Sequence, residues 1–310
     1  MNKAHVKISI IIISKNAGEY IKETITSILD QDYSAIEVIV IDDASNDGTV
    51  EVLKSFGDKI RWVSESDGGQ GDAVVKGFKM SSGGIINIQS ADDILSPKAI
   101  STVIEVFKNA NISGIYGRHI NIDEKGKIIG EPSKLVKHSL EDVLTRTFVF
   151  PDCSTFFRRE LFFKCNLNDI KKLYLVPDFR YYLEMSLHTQ FQPIDFVIVK
   201  QRSTPNGINV NPDNAWDIQY CYKLVADWFF NNSAVSDKYK TKRLQHKLKL
   251  RILLVNPKIL CNVSDSRSFN SFFRLFKRNP SLMIYWSNYC KQFFRIGVKL
   301  ALNKLNLQGV

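Results

Sequence analysis

Four short apolar runs, rich in β-branched residues, lie in the first 90 positions, and stretches of helical spacing separate them. Residues 8–13 (ISIIII) and 36–41 (IEVIVI) read as strands covered on both faces, and residues 60–63 (IRWV) and 85–89 (IINIQ) as two more. Residues 18–32 carry Tyr20/Ile21, Ile25, Ile28 and Leu29 at the spacing of one helix face. Asn46-Asp47-Gly48-Thr49 opens a helix that runs through Leu53 to Phe56. Residues 70–80 form another, stopped by Ser81-Ser82-Gly83-Gly84, and residues 97–109 a further one with Pro97 at its first position. Ile115-Tyr116 supplies a fifth strand. This alternation predicts an α/β fold with a Rossmann-like, mostly parallel central sheet and helices on both faces. Ligands of such sheets bind beyond the carboxyl ends of the strands.

After Gly117 the pattern loosens. Asp123-Glu124-Lys125-Gly126 reads as a hairpin turn, residues 139–145, 159–164 and 178–188 as helices, and residues 196–200 as a strand. Residues 202–213 are rich in Pro, Asn and Gly and read as a loop, and everything from Ala215 reads as helical. The expected organisation is an α/β domain over 1–213, in two halves (1–110 and 111–213), followed by a basic helical region over 214–310. Cys153, Cys165, Cys221, Cys261 and Cys290 are odd in number and form no CxxC pair, which fits reduced, buried thiols in a cytoplasmic protein.

The ends of the strands carry the chemistry. Strand one ends in Ser14-Lys15-Asn16, strand two in Asp42-Asp43, and strand four in Ser90-Ala91-Asp92-Asp93. Glu65, Asp67 and Asp72 follow strand three. Like charges gathered on one edge destabilise a fold unless a ligand or metal offsets them. Asp92 and Asp93 can offer hard oxygen ligands to Mn²⁺ or Mg²⁺, ions that commonly take one or two protein carboxylates and fill the other positions with water and substrate phosphate. The same pair can instead cap the helix that begins near Pro97; the other acids of the edge favour the metal. For Asp42-Asp43, nucleoside contact and capping of the Asn46-Asp47-Gly48 turn remain equal readings. No GxxxxGK[ST] is present, and Gly68, Gly69 and Gly71 follow the third strand rather than the first, so the dinucleotide fingerprint, and with it a nicotinamide dehydrogenase, is disfavoured.

Taken in order, the segments 14–16, 40–49 (VIDDASNDGT), 64–73 (SESDGGQGDA) and 82–93 (SGGIINIQSADD) resemble the family 2 glycosyltransferases of the GT-A fold, closely over about residues 6–110 and more loosely to about 205. That resemblance implies an inverting transfer of a sugar from a nucleotide-diphosphate donor, UDP-linked by expectation, to a hydroxyl of a lipid-linked or polysaccharide acceptor. It implies that Asp42 and Asp43 contact the nucleoside, with Ser14 and Asn16 beside them. The 67–76 segment, with Asp67, Gly71, Asp72 and Lys76, would line the donor pocket. Asp92 and Asp93 would occupy the metal-binding region, Asp93 as the direct ligand. Residues 150–161 (FPDCSTFFRREL) are similar to the segment that shapes the acceptor side, and residues 176–183 (VPDFRYYL) to the one that carries the general base, here Asp178. By position alone Asp178 also suits a helix cap after Pro177. Relatives often have a basic residue near position 184, where this chain has Glu184. His188 falls at the end of the same helix and reads as a helix-terminal histidine rather than a third metal ligand.

Charge is distributed unevenly. The chain has a formal net charge of +10, yet from Lys238 onward it holds 16 Lys and Arg against the single acid Asp265. Phe269, Phe272, Phe273, Phe276, Trp286, Tyr289, Phe293 and Phe294 interleave with these cations. Such a pattern suits an anionic membrane surface, with a solvated helical bundle as the alternative and no nucleic-acid module to accompany it. No apolar run approaches the roughly 18 residues that span a bilayer, and residues 1–13 read as a strand rather than a signal peptide. The expected location is therefore the inner face of the cell membrane, peripherally bound, with self-association left open. The competing reading from a different class is a catalytically silent relative that binds nucleotide and scaffolds a membrane assembly.

Overall fold

The computed structural model describes residues 6–204 and 215–245. Its first half follows the alternation of the sequence: β1 (Ile8–Ser14), α1 (Ile21–Leu29), β2 (Ile36–Asp42), α2 (Thr49–Ser55), β3 (Arg61–Ser64), α3 (Gln70–Met80) and β4 (Ile85–Ser90). These strands form the parallel run β3-β2-β1-β4. Both faces are covered, which is why the strands lack polar alternation. Ile8, Ile10 and Ile12 pack with Ile21, Ile25 and Ile28 of α1, while Ile39 and Ile41 face Ala73 of α3. Full burial of each isoleucine is worth about 1.5–3 kcal/mol.

The second half brings β5 (Ile94–Leu95), α4 (Ala99–Phe107), β6 (Gly114–Ile122), α5 (Leu140–Leu144), β7 (Thr155–Arg158), α6 (Arg159–Phe162), α7 (Leu167–Lys171), α8 (Pro177–Met185), β8 (Gln192–Arg202) and α9 (Ala215–Asn231). The sheet continues as β4-β7-β6-β8-β5 and becomes mixed: β7 is antiparallel to β4 and β6, β8 is parallel to β6, and β5 is antiparallel to β8. Three elements lie outside the expectations from sequence. β5 has two residues and α7 five, too few for a period to show, and β7 is hidden in a continuous apolar run. The strand expected at 115–116 extends over 114–122, and the one expected at 196–200 over 192–202.

Two compact units divide the chain: residues up to 205 with 221–251, and residues 206–220 with 252–310. The division thus falls differently from a cut at 213. The reason is that α9 from Cys221 onward packs on the first unit, with Tyr222 5.6 Å from Phe179 and the Arg180 guanidinium 3.3 Å above the Trp228 ring. Of the second unit only residues 215–220 are described. Most of the 202–213 loop and the aromatic, basic stretch from residue 246 lie outside the described residues, as do Cys261 and Cys290. Cys153, Cys165 and Cys221 are buried. Among the described residues no helix is long and apolar enough to cross a membrane.

One ion cluster ties the amino-terminal edge of the sheet. Glu37 accepts from Ser9 Oγ (2.6 Å) and the Ser82 backbone N–H (2.8 Å), and pairs with Lys7 (3.0 Å) and Arg61 (3.3 Å). Burial alone would raise its pKa, but the bonds from Ser9, Ser82 and Lys7 outweigh it and hold the carboxyl at about 2. A depressed folded-state pKa stabilises above the unfolded value, and that stability is lost as pH falls from about 4.5 through about 2. Glu37→Gln should therefore cost up to about 3 kcal/mol at neutral pH. Denaturant unfolding at pH 7 and pH 2.5 checks this: the gap between variant and wild type should shrink at the lower pH.

Candidate active site

The register places Ser14, Asp42 and Ser64 side by side, each the last residue of its strand. Asp42 is fully buried, and its carboxylate is occupied within the fold. It accepts from the Ser45 N–H (3.0 Å), Ser45 Oγ (2.5 Å) and Ser64 Oγ (2.7 Å). Asp43 turns the other way, accepting from the Asp67 N–H (3.0 Å) and pairing with the exposed Lys15 (2.5 Å). Burial pushes its carboxyl up, and the Lys15 and Asp67 contacts bring it below the ordinary range. The Ser14 hydroxyl is buried without a hydrogen-bond partner. Asn16 and Ala44 take left-handed backbone (φ 50° and 43°), sparsely populated for residues with a side chain, and the two loops are stitched by the Asn16 N–H to Ser45 Oγ (2.7 Å) and the Asn46 N–H to Asn16 Oδ1 (3.2 Å).

The 67–76 segment is held from the far half of the chain. The first N–H groups of α3 are met by carbonyls: Gln70 N–H by Tyr174 O and Gly71 N–H by Leu173 O, both at 2.9 Å. Gly71 has a packing task, since a Cβ there would stand 2.1 Å from the Ile170 carbonyl oxygen. Asp72 accepts from the Gly68 N–H (3.1 Å) and pairs with Lys171 (3.3 Å), and Lys76 pairs with Glu65 (2.9 Å). Asp67 accepts from the Gly69 N–H (2.6 Å), and burial raises its pKa.

Beyond β4 the chain turns at Ala91-Asp92-Asp93. Asp93 is 2% exposed; its Oδ1 accepts from the Arg202 N–H (2.8 Å), the buried Cys153 thiol lies against the carboxyl group, and Oδ2 is buried with no N–H or O–H donor. Burial, and then the charge of Asp92, push Asp93 up to about 7, and burial also raises Asp92. A buried, unpartnered carboxylate oxygen beside a second carboxylate fits a divalent cation. Among the described residues no three His, Cys, Asp or Glu side chains converge to cage an ion, so water and substrate oxygens would complete the coordination.

Asp178 lies in the first turn of α8, its carboxylate accepting from backbone N–H groups of Asp178 and Phe179, where the helix dipole favours an anion. Burial raises its pKa, against the opposing charge of Arg146. The turn leading into it is strained: Val176, β-branched, sits at φ 47°, ψ 47°, and its N–H donates to Gln70 Oε1 (3.0 Å). Asp152 joins the group, although the sequence marks it only as part of an acceptor-side segment. Its Oδ1 accepts from Tyr181 (2.8 Å) and Tyr182 (2.7 Å). Burial, then the charge of Asp178, and less strongly that of Asp93, push it up to about 7. One electrostatic neighbourhood thus links Asp92, Asp93, Asp152 and Asp178. Glu184 is a structural partner: it pairs with the buried Arg180 and accepts from the Asn166 N–H (3.2 Å). The His188 N–H donates to the Met185 carbonyl (3.0 Å) just past α8.

Comparison with known proteins agrees with this architecture. Residues 9–165 match the model of glycosyl transferase family 2. An uncharacterized glycosyltransferase of Nostoc sp. is 31% identical over 167 residues, which is 50% of this chain and 52% of that protein. Glycosyltransferase GlyG of Streptococcus pneumoniae is 31% identical over 121 residues, 38% of this chain and 40% of that protein. This chain spans about half the length of these relatives, or less. Among solved structures, S. aureus TarS in complex with UDP-GlcNAc superposes with a TM-score of 0.64 at 16% identity, covering 86% of this chain and 79% of that one. The mannosyltransferase PcManGT of Pyrobaculum calidifontis, in complex with GDP-Man and Mn²⁺, gives 0.57 at 15% identity, covering 97% and 89%.

Proposed function

The chain belongs to glycosyl transferase family 2, and from that membership we propose an inverting, metal-dependent transfer of a sugar from a nucleotide-diphosphate donor to an acceptor hydroxyl, with Asp178 as general base. The observation that carries the reading is the Asp93 carboxylate, one oxygen fixed by the Arg202 N–H and the other buried and unpartnered. Asp93, assisted by Asp92, would hold Mn²⁺ or Mg²⁺. Such an ion, when bound, supplies positive charge against the departing diphosphate.

The chain's own groups do the rest. Asp42 braces the loop through Ser45 and Ser64, while Asp43, Ser14 and Asn16 face the nucleoside. Lys15, exposed and paired with Asp43, is released when a base takes its place. Asp67, Asp72 and Lys76 keep the 67–76 wall of the donor pocket in position through their bonds to Gly69, Gly68 and Glu65. Gly71 lets the backbone of residues 170–173 support that wall. Asp178 accepts the proton of the acceptor hydroxyl as the new C–O bond forms at the anomeric carbon. The bond to the nucleotide breaks on the opposite face, and its electron pair leaves with the diphosphate.

A UDP-linked donor draws support from the TarS complexes with UDP and UDP-GlcNAc, and a divalent cation from the Mn²⁺ complex of PcManGT. A lipid-linked or polysaccharide acceptor is supported by the basic, aromatic stretch after Lys238, which suits docking at an anionic membrane. Thermal-shift measurements with UDP, GDP and dTDP, each with and without Mn²⁺, test the reading. A shift that needs both a nucleoside diphosphate and the metal is expected; no shift with any pair would sink it.

A further inference from the structure

No motif marks Arg202, yet its side chain is 2% exposed and joins three other segments to β8. The Nε–H donates to the Asp92 carbonyl (3.0 Å), and Nη1 donates to the carbonyls of Glu124 (2.7 Å) and Asp123 (3.2 Å). Nη2 pairs with Glu23 of α1 (2.6 Å), and the guanidinium lies 4.8 Å from the Tyr20 ring centre. Its backbone N–H is the group that holds Asp93 Oδ1. We propose that Arg202 is the positioning residue of the acidic turn: through Asp92 O and Asp93 Oδ1 it fixes the one unpartnered oxygen of Asp93 at the point where the cation binds. This rests on the reading of Asp93 as a metal ligand.

The turn at residues 91–93 lies between β4 and β5, outside any ladder that would hold it. On its far side it is pinned to β8 by the β5 pairing and by the Ser96 N–H to Ile198 O bond (2.8 Å). On its near side Thr24 Oγ1 donates to the Ala91 carbonyl (2.9 Å) and the Cys153 thiol meets the Asp93 carboxyl, while Arg202, alone among the described residues, bonds both the Asp92 carbonyl and Asp93 Oδ1. A guanidinium suits this place because its planar fork serves several acceptors at once, which a lysine ammonium on a flexible stem cannot do. Burying that charge is costly unless it is paired, and three carbonyls and a carboxylate pair it. Bonds that orient a metal ligand without touching the metal typically govern affinity by about 10–100-fold.

The test measures Mn²⁺ affinity by electron paramagnetic resonance of the free ion, at saturating UDP, on the full chain. Arg202→Gln should weaken Mn²⁺ binding about 10–100-fold, and Arg202→Lys, which keeps the charge but not the fork, should remain at least about tenfold weaker. The weaker binding of UDP without metal should change by no more than about twofold, because none of these bonds involves Ser14, Asn16, Asp42 or Asp43. A folded Arg202→Lys or Arg202→Gln chain that binds Mn²⁺ as wild type does overturns the proposal. Should neither fold, Glu23→Gln removes one pin at a half-exposed position, with a loss of about threefold expected; an unchanged affinity there also overturns it. Asp93→Asn in the same assay separates the two ideas. Wild-type Mn²⁺ binding by that variant defeats the metal-site reading itself, whereas its loss beside unaffected Arg202 variants defeats the positioning role alone.

Discussion

Asp178→Asn is expected to lower kcat for sugar transfer by about 10²–10⁴-fold, the range of general-base assistance, or roughly 3–5 kcal/mol of barrier. UDP and Mn²⁺ affinity should stay near wild type. The substitution is nearly isosteric, and an Asn side chain can still accept from the N–H groups of the first turn of α8 that the Asp178 carboxylate engages. A role limited to capping would therefore be largely preserved in the variant, and a base role would not. Burial raises the Asp178 pKa, with Arg146 opposing, so the acid limb of the wild-type rate profile should lie above the ordinary carboxylate range. That limb should vanish from whatever rate survives in the variant. Steady-state kinetics with product analysis decide the matter: an unchanged kcat would remove Asp178 from the chemistry.

The parallel half of the sheet was legible because its signals are local. A buried strand is a continuous apolar run, and α1 and α3 carry their periods within 9 and 11 residues. The acidic edge was legible for the same reason, since strand ends follow directly from strands. What the sequence concealed depends on distant partners. Nothing in Asp42-Asp43 tells which carboxylate is engaged by Ser64, 22 residues on, and which faces Lys15. Gly71 looks like part of a ligand loop until residues 170–173 are seen to lie against it. Asp152 gains its place from Tyr181 and Tyr182 on α8, and Arg202 from Glu23, 179 residues away. Glu184, at (i, i+4) from Arg180, had a partner that helical spacing alone allows to be named.

Asp93→Asn should move activity and stability in opposite directions. An amide can still accept the Arg202 N–H, so the turn keeps its anchor, but the orphaned anionic oxygen is gone. Mn²⁺ binding should fall below detection at millimolar metal, and transfer should drop by about 10³-fold or more, as expected when a directly coordinating carboxylate is lost. The metal-free chain should instead gain stability above neutral pH. Burial and the charge of Asp92 raise the folded-state pKa of Asp93 to about 7, far above its unfolded value. A raised carboxyl pKa means that stability present below about pH 4 is lost as pH climbs through about 7, because the folded state must then ionise a buried group. Asparagine does not ionise, so the gap between variant and wild type should open over that window and reach about 2–4 kcal/mol by pH 8. Saturating Mn²⁺ with UDP should close the gap from the wild-type side, since only wild type retains the ligand. Denaturant unfolding at pH 5 and pH 8, with and without metal, reads all of this. A variant less stable than wild type at pH 8 without metal would mean that Asp93 is held as a structural partner, and its unpartnered oxygen would then need another explanation.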